Sequence, residues 1–137
     1  METTFNAENQ QGSGAVVLNN SSLSLPIEYR TQIANKIAEL KAKFNVKKVF
    51  VVIVQGNAED GEKPYYIAYL RRPNLMQFSQ YMTFVQKDLV QANQMLARNI
   101  FLDGDKELID DEELFLYGTM NQLNHVIDAR NSDIVKK

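Results

Sequence analysis

Few side chains in this sequence could carry acid–base or metal chemistry, and they are unevenly placed. His125 is the only histidine and cysteine is absent. That removes thiolate catalysis, disulfides and zinc–thiolate sites, and it leaves neither a histidine cluster for a metal nor a nucleophilic triad. In Leu123-Asn124-His125-Val126 the imidazole falls on the flank of an amphipathic helix, where a partly exposed structural role is expected. The carboxylates gather late in the chain as Asp103, Asp105, Glu107, Asp110, Asp111, Glu112 and Glu113. A calcium helix-loop-helix loop starting at Asp103 needs glycine at its sixth position and a bidentate glutamate at its twelfth. Those positions hold Leu108 and Leu114, so turn formation and helix capping account better for the acids. Gly12-Ser13-Gly14 lacks the length, lysine and flanking strand of a phosphate loop. No catalytic residue, cofactor or metal is expected, and the chain reads as non-enzymatic.

Arginine and tyrosine offer binding chemistry instead. Arg71 and Arg72 stand at a strand end beside Tyr65, Tyr66 and Tyr69, and guanidinium groups so placed can clamp carboxylates or phosphates. The glycine-aromatic strand motif of RNA-recognition domains is missing, however, so cross-strand packing is expected for the tyrosines and ion pairing with the acidic loop for at least one arginine. Lys36, Lys41, Lys43, Lys47 and Lys48 form a basic cluster, read as a solvated helix face with cations near its C-terminus, where the macrodipole favours them.

These groups must be positioned by a hairpin and helices. Residues 49–54 carry apolar side chains on both strand faces, Val49, Val51 and Ile53 on one and Phe50, Val52 and Val54 on the other, so cover is expected on both sides or an assembly partner on one. A second strand over 65–72 places Tyr65, Ile67, Tyr69 and Arg71 on one face, and Pro73 ends it. Ahead of the hairpin, Ile33, Ile37, Leu40 and Phe44 make one helical stripe starting near Pro26, with Ser24 as a cap. After it, Leu75, Phe78, Tyr81, Met82 and Val85 make another, continued by Leu89, Ala92, Leu96 and Ile100 with a break near Lys87-Asp88. Asp103-Gly104-Asp105 reads as a loop that ends this element. Asp110 followed by Glu113 matches a capping box for a last helix, whose core face is Leu116, Met120, Leu123 and Ile127, flanked by Phe115 and Val126; Gly118 marks a close approach.

At 137 residues the chain fits one domain able to bury a core. Residues 1–22 are rich in Asn, Gln, Ser, Thr and Gly and read as a flexible polar arm before a single domain over 23–137. Within the arm, residues 15–18 are the part able to add a strand to a partner. Fifteen basic residues against 17 acidic give a net charge of −2, which disfavours nucleic acid as the partner. The N-terminus has no signal-peptide pattern, no apolar run is long enough to span a membrane, and no membrane partner is expected. The fold expected is α+β, a β-hairpin packed against three to four helices.

The order of these parts resembles small phage tail assembly chaperone-like proteins. The matching features are the hairpin ending in Tyr69-Leu70-Arg71-Arg72-Pro73, the helix beginning near Asn74, the stretch Asn99-Ile100-Phe101-Leu102-Asp103-Gly104-Asp105, and the acidic-capped helix from Asp110. The resemblance covers roughly residues 46–130. It implies a protein of the host cytoplasm that binds a phage tail component, such as the tape measure protein, during virion assembly. Two alternatives stand beside it: a minor structural protein of the virion, and a nucleic-acid-binding accessory factor using the lysines with Arg71 and Arg72. Homo-oligomerisation is left open. The surface expected to bind the partner is an outward hairpin face with Tyr65, Tyr69, Arg71 and Arg72, because so apolar a hairpin leaves a small domain short of elements to cover both faces.

Overall fold

The computed structural model describes residues 15–17 and 25–136. In chain order the elements are β1 (Ala15–Val17), α1 (Ile27–Phe44), β2 (Val49–Gln55), β3 (Tyr65–Arg71), α2 (Leu75–Val85), α3 (Leu89–Ile100), β4 (Phe101–Gly104), α4 (Glu107–Asp110), α5 (Glu112–Leu114) and α6 (Met120–Lys136), with a π turn over Phe115–Thr119 joining the last two. The architecture is α+β. The expected hairpin is present, with Val49 opposite Arg71 and Gln55 opposite Tyr65, and it forms the centre of a four-stranded sheet ordered β1-β2-β3-β4.

The two added strands lie where the sequence suggested an arm and a loop. Ala15–Val17 pairs parallel with Val49–Val51; a parallel neighbour requires a long crossover, and α1 supplies it. The rest of residues 1–22, and Ser24, lie outside the described residues. The cap position of α1 is Pro26, which offers no side-chain acceptor. Phe101–Gly104 pairs antiparallel with β3 through Tyr69–Asp103 and Ala68–Gly104, so the expected loop is mostly edge strand. Gly104 adopts φ +116 there, and a Cβ on it would lie 2.4 Å from the Ile67 carbonyl oxygen. Only glycine tolerates both conditions.

Because side chains alternate along a strand, the all-apolar β2 feeds two cores. On one side Val49, Val51, Ile53, Ile67 and Tyr69 meet Ile33, Ile37 and Leu40 of α1. On the other, Phe50, Val52, Tyr66, Ala68 and Leu70 meet Phe78, Leu96, Ile100, Leu108, Phe115 and Leu123. Both hairpin faces are therefore covered within one chain. The expected outward face is corrected by this: the side chains of Ile67 and Tyr69 lie under α1. More helical segments pack than the three to four expected, because Asp88 caps a fresh helix after the Lys87 turn and a short helical turn, α4, precedes the last helix.

The final helix starts one residue later than its pattern suggested. Residues 107–110 already form a helical turn, so Asp110 is helical, and Asp111, extended at ψ 121, accepts from the backbone N–H groups of Glu113 and Leu114. The π turn then advances the helix phase by one residue. Phe115 and Thr119 turn inward and Leu116 is left at the surface, 36% exposed. Gly118 is the close approach expected of it: a Cβ there would sit 2.6 Å from a Val54 methyl.

Candidate functional site

The four residues expected to bind a partner are divided by the fold. Tyr69 is buried at 4% exposure and Tyr65 is half-buried against Tyr29 of α1, ring centroids 4.9 Å apart. Arg71 and Arg72 are half-buried at the opposite end of β3. Tyr65 and Tyr69 line a cleft of about 310 Å³ between α1 and the β3–β4 edge, together with Gln32, Lys36, Lys63, Asp103 and Asp105. Arg71 and Arg72 are not among its lining residues.

Charge pairing organises the cleft. Lys36 Nζ donates to Asp103 Oδ2 at 3.0 Å and lies 3.6 Å from Glu39. Lys63 pairs with Asp105, whose other carboxylate oxygen accepts from the Ile67 backbone N–H at 2.9 Å. The hydrogen bonds from Lys36 and from the Gly104 N–H hold the Asp103 carboxyl below its ordinary range, and the same pairing raises Lys36. Lys63 is likewise raised by Asp105. Burial, with Asp103 and Asp105 adding to it, pushes the Tyr69 phenol well above its ordinary value, so it stays neutral throughout the physiological range. The cleft is thus a clasp. Its two ion pairs tie β4 to α1 and to the hairpin turn, and they use the carboxylates that the sequence offered to an arginine. Asp110, the fourth acid of that stretch, takes Arg98 at 3.3 Å.

The less expected feature is the outer side of α2. This helix is capped on both counts at its start, the Asn74 side chain accepting from the Gln77 N–H at 2.8 Å and the Gln77 side chain from the Asn74 N–H at 3.0 Å. Its inner side buries Phe78 and Tyr81; burial raises the Tyr81 hydroxyl, an Asn93 hydrogen bond opposing it. Leu75 and Met82, assigned by periodicity to the core stripe, are instead 60% and 44% exposed, and Met76 is 69% exposed. Seven residues apart, Leu75 and Met82 fall on one line of the helix. Between α2 and α3 runs a shallow groove of about 540 Å³ lined by Ser79, Gln80, Thr83, Phe84 and Met95. No charged residue occurs from Pro73 through Gln86, whereas a surface helix ordinarily presents charge to water. That missing charge was the available sequence signal, and hydrophobic spacing alone passed over it.

Elsewhere, His125 is exposed, and among the described residues no group of three or more His, Asp or Glu side chains could hold a metal ion. No described helix is long and apolar enough to cross a membrane. Comparisons of the chain with protein-family models, with curated proteins and with solved structures give no match.

Proposed function

We propose that this chain is a non-enzymatic assembly chaperone or adaptor for a bacterial virus tail, binding an apolar segment of a tail component such as the tape measure protein along the outer side of α2. The observation that carries the reading is the charge-free face with exposed Leu75, Met76 and Met82 beside the Phe84–Met95 groove. Exposed apolar area of this kind marks interaction surfaces, and unbranched methionine adapts to more than one partner shape. The element order of the tail assembly chaperone-like proteins adds the choice of partner. Tyr65 and Tyr69 serve the fold in this reading, and Arg71 and Arg72 lie outside the binding face.

A chaperone acts during assembly and leaves. Quantitative proteomics of purified particles tests this against a structural role: depletion of the chain relative to its level in the assembling cell is expected. A fixed stoichiometry with the tail proteins in the finished particle would overturn the chaperone reading in favour of a minor virion subunit.

A further inference from the structure

The hairpin register sorts charge to the two ends of the molecule. Val49 lies opposite Arg71, so Lys47 and Lys48, which precede β2, share an end with Arg71 and Arg72. The left-handed Asn45 turn that closes α1 brings Lys41 and Lys43 to the same end. Lys43 and Lys47 are exposed and Lys41, Lys48 and Arg71 half-buried. Glu39 of α1 is bridged to Lys36 instead, and Asp103 of β4, which also feels the charge of Lys43, is bridged to Lys36 as well. Phe44 stands among these cations at 38% exposure with Lys43 Nζ 5.4 Å from its ring centroid. The other end carries the hairpin turn with Glu59, Asp60 and Glu62, all exposed. The Tyr29–Tyr65 contact places the start of α1, with exposed Glu28, beside it. Of the cations there, Lys63 is held by Asp105 and Arg30 is half-buried. Tyr117, 81% exposed, adjoins Gly118, which lies over Val54 near this same end.

We propose that copies of this chain associate head to tail, the basic end with Phe44 of one copy seated on the acidic end with Tyr117 of the next. At the usual strand rise roughly 20 Å separates Val49 from Gln55, and the two ends point apart. Among the described residues the two charged ends thus face away from each other, whereas a second copy presents the opposite charge and an exposed aromatic. The net charge of −2 disfavours a long polyanion such as nucleic acid, whereas a second copy brings a compact acidic end, which favours it as occupant. The contact is heterologous, so repetition gives a ring or an open filament. None of these residues lies on α2, and the inference stands or falls apart from the proposed tail-component surface.

Sedimentation velocity on the full chain over a range of concentrations tests it. Association is expected that weakens at least about tenfold when salt rises from about 50 to about 500 mM. The double variants Lys43→Glu/Lys47→Glu and Glu59→Lys/Asp60→Lys, each checked for native circular dichroism, should both be monomeric alone. Mixed in equal amounts they offer one untouched basic end to one untouched acidic end, and the reversed ends complement each other as well, so association of the two in equal proportion should return. A wild-type chain monomeric at every concentration would overturn the proposal. So would variants that associate as the wild type does, or folded variants that fail to pair when mixed.

Discussion

Gln122 shows how much a single side chain settles in this fold. β1 covers β2 only from Val49 to Val51, so at Ile53 the backbone groups that point away from β3 have no strand to meet. The buried Gln122 amide takes both, accepting from the Ile53 N–H at 3.3 Å and donating to the Ile53 carbonyl at 2.9 Å, in the manner of a neighbouring strand. Gln122→Ala should cost about 1–3 kcal/mol, because two buried backbone groups lose their partners; the fall in urea midpoint measures it. Thr119 does similar work by donating to the Leu108 carbonyl at 2.7 Å. Asp111→Ala should cost about 1 kcal/mol through loss of the cap. Asp110→Ala should cost less, since it removes only an exposed pair with Arg98, and equal losses in chemical denaturation would place the cap elsewhere. The Lys36–Asp103 pair predicts a pH dependence with a definite sign. The folded carboxyl titrates below the ordinary 3.8, so its contribution is full above that value and is lost as pH falls through the lowered one. Stability measured below pH 4 should fall more steeply for the wild type than for Asp103→Asn, and parallel curves would contradict the pairing. Both side chains are partly exposed, so the effect is small.

At the level of elements, Gly118 lets the last helix run lie tight against the sheet, since a Cβ there would fall 2.6 Å from a Val54 methyl. Gly118→Ala should destabilise by roughly 1–3 kcal/mol through overlap with Val54, and the added Val54→Ala should recover part of that loss. Strict additivity in a double-mutant cycle would refute the contact. The same region shows what the sequence could disclose. The dense apolar run over 49–54 and the Pro73 stop after the second strand made the hairpin legible, and the Ile33–Ile37–Leu40 spacing did the same for α1. Phe101–Gly104 was not legible as a strand, because it is short and gains its identity from pairing with Tyr69 and from the positive φ of Gly104 rather than from its own composition. Leu116 was misassigned because a π turn shifts phase without leaving a mark in hydrophobic spacing. Leu75 and Met82 were misassigned because a stripe drawn from apolar residues alone is wider than the strip that Phe78 and Tyr81 actually bury.

For the molecule as a whole, one crossover helix on one face and the α2–α6 layer on the other exhaust the apolar surface of β2 and β3. The surplus apolar area thus moves from the hairpin, where the sequence suggested it, to the outer side of α2. The tyrosines expected to bind a partner are drawn inward by the same packing. Their chemistry was visible in the sequence; that neither side of the hairpin faces water was not, because it depends on α1 crossing over from a strand of only three paired residues. The central claim is that the charge-free side of α2 holds a tail component. It is tested most directly by placing a photo-crosslinking residue at position 76 in the full chain and identifying what it captures in cells producing the tail proteins. One defined tail component should be captured, and Met82→Glu should reduce that capture at least about tenfold without shifting the thermal midpoint, since a desolvated carboxylate opposes docking on an apolar face. Capture of that component undiminished by Met82→Glu, or equally efficient from a crosslinker at exposed Asp128 on α6, would contradict it.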